Sequence, residues 1–414
     1  MTMQKANLSS IILALSTVCL LALPAAAATD QKASGKPAVA TKAAAKPAAK
    51  GIVAPIPAHT KPIAPAATAP AGAVSENGPL PVVNADESYD LPDYPPNARV
   101  SEGQMQTYTT GEEDTFLDIA RHFGLGYVEI RAANPDLDPW APLPGQQVTI
   151  PSFKLLPRAK QEGIVVNLGE MRLYYFHTPG EPPVTFPLGI GSEGLDTPTG
   201  STSVIRKVDG PTWSPTDRMR KLKPWLPTVV PAGPSNPLGT HALYLGWPTF
   251  LIHGSNKPWG IGRRVSSGCM RLYPEDIVQL FNMVPVGTRV TVVDQPILMG
   301  WLKDGLYLEA NPSKTQSNEI EMDGAHTVKP LNDDLKKVII HAAGPHADSI
   351  NWSIVGDVVK ERRGYPVRIA PAPGGSMDAP APKADKPADK KADKKAAAPT
   401  PEETRIRNNA TRNN

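Results

Sequence analysis

Apolar residues recur at Phe116, Ile119, Ala120 and Phe123, the i, i+3, i+4, i+7 spacing of one helix face. After Gly124 a second short run, Val128, Ile130 and Ala133, ends at Asn134-Pro135. Tyr108-Thr109 stands before these runs and Val148-Thr149-Ile150 after them, so residues 105–152 predict a small strand, helix, helix, strand module.

The period then shortens. Ile164-Val165-Val166, Arg172–Phe176, Val184–Leu188 and Ala242–Leu245 are short β-branched or aromatic runs between turns, and Arg289–Val293 closes a mainly β block over 162–294. One helix is expected near its end. Pro274 suits a first helical turn, Glu275 and Asp276 complement the positive helix end, and Ile277, Leu280 and Phe281 turn inward. In the extension 295–369, Trp301–Glu309 reads as a hairpin, Leu331–Ile340 as a helix and 350–362 as a second short helix.

The flanks have no such pattern. Thr29–Ala73 is Ala, Pro and Lys with six lysines against one aspartate, too poor in large apolar groups to offset chain entropy. A disordered tether over 29–91 and a disordered tail over 370–414 are expected. Leu8–Leu23 is mostly apolar and Pro24 precedes four alanines, which predicts a signal peptide over 1–28 that is cleaved and leaves no stable membrane anchor. The apolar run is short for a bilayer span. Cys19 leaves with it, so Cys269 becomes the lone thiol in an oxidising compartment, with no partner for an intramolecular disulfide. The formal net charge of +3 is weak for this length and comes with no basic stripe interleaved with aromatics, so nucleic-acid binding has no support and no nucleic-acid partner is expected.

The chemistry concentrates in Leu251-Ile252-His253-Gly254-Ser255-Asn256 and Arg263-Arg264-Val265-Ser266-Ser267-Gly268-Cys269-Met270-Arg271-Leu272. Acyl transfer from a peptide needs an activated thiol, a base for its proton, and backbone donors aimed at the developing negative charge. Cys269 is the candidate nucleophile and His253, at the end of an apolar run, its base. Gly268 has no side chain to block a substrate, so its N–H and that of Cys269 are the expected oxyanion donors. Arg264 and Arg271 make the neighbourhood positive, which lowers a thiol pKa and can hold a carboxylate; Arg271 is the preferred one. Alone, Cys269 would read as a small buried hydrophobe and His253 as a core histidine. Their joint setting reverses that. A papain-like arrangement would place the cysteine before its histidine. His241 lacks the partner spacing of a zinc site, so no metal is expected.

This segment closely resembles the catalytic motif of the L,D-transpeptidase (YkuD) family, His-Gly-[Ser/Thr] followed by Ser-x-Gly-Cys-[Ile/Val/Met]-Arg-[Leu/Met]. The likeness extends over 163–296, through Gly189-Ile190-Gly191, Thr197-Pro198-Thr199-Gly200 and Asn236-Pro237-Leu238-Gly239 among other segments. The resemblance implies a YkuD-like β-sandwich with a short helix after the catalytic loop, and chemistry without metal or organic cofactor. It implies that Cys269 attacks the third stem-peptide residue of peptidoglycan, usually meso-diaminopimelate, and expels D-alanine. An amine acceptor then resolves the thioester and makes a cross-link. His253 would be base and proton donor, oriented by the Gly254 carbonyl, with Gly268 polarising the carbonyl and Arg271 acting electrostatically. Ser255, Ser266, Ser267 and Tyr244 are the expected substrate contacts. Ser267 stands where many relatives carry a second histidine.

Some relatives attach or release an outer-membrane protein on peptidoglycan through the same thioester, so such a protein is an alternative acceptor. Residues 105–152 resemble a LysM domain at Tyr108, Asp114-Thr115, Ile119-Ala120, Asn134-Pro135 and Gly145–Pro151. That likeness implies binding to glycan strands containing N-acetylglucosamine. A non-catalytic LysM wall-binding scaffold is the reading from another class. The expected location is the periplasm, at the cell wall.

Overall fold

The computed structural model describes Tyr89 and residues 91–377. The expected signal peptide, the tether up to residue 88 and the tail from 378 onward lie outside the described residues. Among the described residues no helix is long and apolar enough to cross a membrane.

The small module pairs β1 (Gln106–Thr109) antiparallel with β2 (Gln147–Ile150), and α1 (Phe116–His122) and α2 (Tyr127–Ala133) lie between them in the chain. Thr115 caps α1, its hydroxyl accepting from the Asp118 N–H at 3.3 Å, while Phe116, Ile119 and Ala120 are buried. All seven residues of α2 are buried, Glu129 and Arg131 included. A helix that carries two charged residues and is buried all round must pack against more than its own module.

The central block adds β3 (Gly163–Asn167), β4 (Arg172–Phe176), β5 (Val184–Pro187), β6 (Gly200–Asp209), α3 (Asp217–Leu222), β7 (His241–Leu245), β8 (Leu251–His253), β9 (Met270–Arg271), α4 (Pro274–Met283) and β10 (Arg289–Val293). Eight of these strands form one sheet in the order β9-β8-β7-β6-β10-β3-β4-β5. The sheet is mixed: β10 runs parallel to β3 and β9 parallel to β8, the other neighbours being antiparallel. It curls, so that Ile164 and Leu173 from one end share a single core with Leu243, Ile252 and Met270 from the other. Ile277 and Leu280 of α4 join this core fully buried, as the apolar spacing predicts.

The C-terminal part has its own core, built on β11 (Ile297–Leu302), β12 (Gly305–Ala310) and β13 (Val367–Pro371), with α5 (Lys314–Asp323), α6 (Asp333–Ala343) and α7 (Trp352–Glu361). The hairpin and both expected helices are present, starting four residues earlier than expected in the hairpin and two later in each helix. The tail boundary at 370 needs correction. Ala370 is fully buried in β13 and pairs with Leu306, because the small residues Ala370 and Pro371 complete a sheet edge despite their composition. Two helices lack the apolar signal that would reveal them. α3 buries no residue, and α5 buries only Ile320 among large apolar side chains, starting instead from a Ser313–Gln316 capping box.

The three parts meet around buried charge. Glu129 of α2 lies 2.8 Å from Arg172 Nη2 of β4 and 2.9 Å from Lys154 Nζ, which also donates to the Gly364 carbonyl at 2.7 Å.

Candidate active site

Alternate residues of a strand face opposite sides, and paired residues share a side. His253 of β8 pairs with Arg271 of β9 and with Ala242 of β7, while Ile252 pairs with Met270 and Leu243. Ile252, Met270 and Leu243 enter the core. His253, Arg271, Ala242 and Tyr244 therefore take the other face.

His253 is buried, and its Nδ1 lies 2.6 Å from the Gly254 carbonyl oxygen. A carbonyl only accepts, so Nδ1 carries the proton and Nε2 is left with its lone pair. Burial, with Arg271 adding to it, drives His253 down to about 3, so the ring is neutral at neutral pH. The turn that presents it is tightly packed. A Cβ on Gly239, whose φ is +68°, would sit 2.6 Å from the Ser255 nitrogen. The Asn236 amide anchors the preceding loop through the carbonyls of Pro211, Val230 and Pro231.

Cys269 is half-buried, and its thiol lies 3.5 Å from the Thr249 carbonyl. Thr249 joins β7 to β8 with φ +71°, a left-handed conformation that costs a β-branched residue energy and persists only where surroundings impose it. Burial pushes the Cys269 thiol up, while the Leu251 backbone and Arg271 pull it down by less. The expected lowering by positive charge is thus present at Arg271, but burial outweighs it and the resting cysteine is a thiol.

The backbone before Cys269 is held by Ser266. Its buried hydroxyl accepts from the Gly268 N–H at 3.1 Å and donates to the Cys269 carbonyl at 2.6 Å. This corrects two expectations. The Gly268 N–H is already engaged and does not point at a substrate, and Ser266 braces the loop from inside instead of contacting ligand. The Cys269 N–H takes no part in this ring. Gly268 is needed for its shape: φ is +107°, and a Cβ would meet Phe250 at 3.0 Å. Its carbonyl accepts from Thr197 Oγ1 at 2.8 Å. Ser255 is likewise buried, its hydroxyl accepting from the Lys257 N–H at 2.9 Å, so it closes a turn where a substrate contact was expected. Ser267 is exposed beside Cys269. Tyr244 shares the His253 face, but the Arg206 guanidinium lies 3.8 Å over its ring.

The two arginines separate cleanly. Arg264 is buried and bonded to Asp196 at 2.9 Å. Arg271 is half-buried, its buried Nε has no hydrogen-bond partner, and among the described residues none of its guanidinium nitrogens makes a hydrogen bond or ion pair. Burial pulls its pKa below the usual range, offset in part by Cys269. Other buried arginines, such as Arg158, Arg172 and Arg362, each reach an acceptor through a terminal nitrogen. Residue order alone does not single out Thr249 and Thr197, which position Cys269 and Gly268. Thr197 lies within a segment carrying the family likeness; nothing in the local sequence marks Thr249.

A thiol, a neutral imidazole and a guanidinium without a side-chain partner lie on or next to paired strands, the kinds of group that cysteine acyl transfer uses. Comparison with known proteins gives the family. The L,D-transpeptidase catalytic domain, YkuD, matches residues 161–292. Over 278 residues the chain is 40% identical to the probable L,D-transpeptidase YbiS of Escherichia coli K12, covering 65% of this chain and 88% of that protein. Over 292 residues it is 39% identical to the probable L,D-transpeptidase ErfK/SrfK of Salmonella typhimurium LT2, covering 68% and 91%. Over 199 residues it is 47% identical to the probable L,D-transpeptidase YcfS of Escherichia coli K12, covering 46% and 62%. The chain belongs to the L,D-transpeptidase family, a class of transferase enzymes.

Proposed function

We propose that this protein is a peptidoglycan L,D-transpeptidase in which Cys269 is the nucleophile and His253 the base. Cys269 Sγ attacks the carbonyl carbon linking the third stem-peptide residue to its terminal D-alanine, and the thiol proton passes to His253 Nε2. The carbon–nitrogen bond breaks, the proton goes to the departing amine, and a thioester remains on Cys269. An acceptor amine then attacks the thioester, loses a proton to Nε2, and the thiol is restored. The Cys269 N–H is the backbone donor for the oxyanion, since the Gly268 N–H is engaged by Ser266.

The observation that carries this reading is the 2.6 Å contact between His253 Nδ1 and the Gly254 carbonyl, which leaves Nε2 its lone pair, on a strand paired with the Met270–Arg271 strand that directly follows Cys269. Because both groups are neutral at rest, proton transfer accompanies attack and no thiolate–imidazolium pair need be stored. A stem-peptide carboxylate supplies the counter-charge that Arg271 lacks.

In the same reading residues 105–152 hold glycan, supported by the βααβ arrangement and by exposed Trp140 and Leu143 on the loop before β2. The likeness to cell-wall transpeptidases and the apolar run Leu8–Leu23 support action in the periplasm.

The test is incubation of the protein and its Cys269→Ala variant with a disaccharide-tetrapeptide, followed by mass spectrometry. D-Alanine release and a cross-linked dimer, both dependent on Cys269, are expected. Release without dimer moves the acceptor to a protein amine or water, and no Cys269-dependent product removes the enzymatic reading in favour of a wall-binding scaffold.

A further inference from the structure

Cys269 lies on a stretch of chain that the small module grips on both sides. Seven residues before it, Gly262 meets Gly126 at the start of α2. Gly262 has φ +73°, and a Cβ there would lie 2.2 Å from both Gly126 Cα and the Tyr127 nitrogen. The Tyr127 N–H donates to the Ile261 carbonyl at 3.2 Å and the Val128 N–H to the Gly262 carbonyl at 3.1 Å. First-turn amides have no partner inside their own helix, so the catalytic loop satisfies what α2 leaves open. The next residue, Arg263, lays its guanidinium 3.7 Å over the Tyr127 ring and pairs with Glu321 of α5 at 3.0 Å.

After Cys269 the same segment of the module returns. Tyr273 Oη donates to the Leu125 carbonyl at 3.1 Å, and Arg121 makes a two-point contact with Glu275, both distances 2.6 Å. Five residues of the stretch Arg121–Val128 therefore touch the chain at 261–263 or at 273–275, with the cysteine between.

We infer that Arg121–Val128 is a positioning clamp for the catalytic loop, setting where Cys269 stands relative to His253, so that the small module is part of the catalytic unit whether or not it also takes glycan. His253 is held by β7 and by the Gly254 turn, and its strand also pairs with β9, which directly follows Cys269, so the sheet fixes one side of the cysteine and the clamp acts on the loop that leads to it. The loop from Gly254 to Gly268 has one 3-10 turn at Pro258–Gly260 and the short strand Arg264–Ser266; the Ile190 and Ser192 N–H groups bond its Arg263 and Ser266 carbonyls, Thr197 holds Gly268, and the two feet add the grip of the small module. Misplacing a reacting group by about 1 Å costs roughly 100-fold in rate.

The inference rests on Cys269 being the reactive thiol, and its test separates from that of the transpeptidase reading. Gly262→Ala opens the first foot; Tyr273→Phe with Glu275→Gln loosens the second. For each full-length variant, melting temperature, the pH profile of iodoacetamide reaction at Cys269, and kcat and KM for D-alanine release are measured. The expected result is a near-native fold, a displaced alkylation profile, KM within about twofold, and kcat lowered roughly 100-fold by Gly262→Ala and less by the pair. A folded variant with native alkylation profile and native kcat overturns the clamp, as does a fall in kcat with an unmoved profile. If Gly262→Ala does not fold, the Tyr273→Phe, Glu275→Gln variant decides by the same criteria. If the unaltered protein releases no D-alanine, the transpeptidase reading fails while the alkylation profile still decides the clamp.

Discussion

Buried charge occurs at the junction of the three parts and again at the candidate active site, and the two places treat it oppositely. At the junction burial works against the charge on Glu129, yet Arg172 and Lys154 outweigh it and hold the carboxyl below its usual range. Each cation there has an acceptor within 3 Å. At the active site burial works against Arg271 in the same way, and only the neighbouring Cys269 pulls back. No carboxylate meets it among the described residues. A satisfied buried network specifies how parts fit together, whereas an unsatisfied cation in a site awaits a group that brings the opposite charge.

The contrast can be broken at several points. His253→Asn, which keeps size and polarity but removes the base, is expected to lower D-alanine release by 10²- to 10⁴-fold, roughly, with the melting temperature little changed. Glu129→Ala should instead act on folding. It leaves buried Arg172 without its carboxylate and Lys154 with only Glu309 at 4.0 Å, and is expected to cost about 3–5 kcal/mol in urea unfolding. Arg271→Met should show the opposite balance, with stability unchanged or raised. KM for the tetrapeptide should rise about 10- to 100-fold, the loss of one charge-assisted contact. The same substitution should move the alkylation midpoint of Cys269 upward, because the Arg271 charge is one of the two influences holding the thiol down.

The smallest expected effect lies between the two regions. Asp276, in the first turn of α4, is pushed up to about 7 by burial, with Glu275 adding to it against Arg172 and Arg121, and its Oδ2 has no partner. A carboxyl whose folded value exceeds its unfolded value binds its proton more tightly in the folded protein, so its cost to stability grows as pH rises from about 4 to about 7. Asp276→Asn should therefore raise stability at pH 8, by roughly 1–2 kcal/mol once solvent screening of this half-buried group is taken off the full linkage of about 4 kcal/mol, and leave it unchanged at pH 4. An equal effect at both pH values would assign the gain to packing.

Much of this was legible from residue order because periodicity and motif spacing are local. Phe116, Ile119 and Ala120 announce α1, and Pro274 through Leu280 announce α4, since each element buries one regular face. His253 and Cys269 stand out as a pair because each adjoins a glycine inside a short motif, and together they supply the base and the thiol that acyl transfer needs. What stayed hidden is decided by contacts far apart in the chain. That Ser266 engages Gly268 depends on a loop conformation with φ +107°, and that Arg264 is neutralised while Arg271 is not depends on Asp196, 68 residues from Arg264. The burial of all of α2 could not be read from its own seven residues, as its polar positions find partners on β4, the catalytic loop and the C-terminal part.

The most direct measurement is intact-protein mass spectrometry of the protein mixed with a disaccharide-tetrapeptide and no added acceptor, followed by peptide mapping. The account predicts an adduct on the peptide carrying Cys269 whose mass equals the tetrapeptide substrate less D-alanine. The adduct should form slowly with His253→Asn and not at all with Cys269→Ala. An adduct that maps elsewhere, or one that persists in Cys269→Ala, would contradict it.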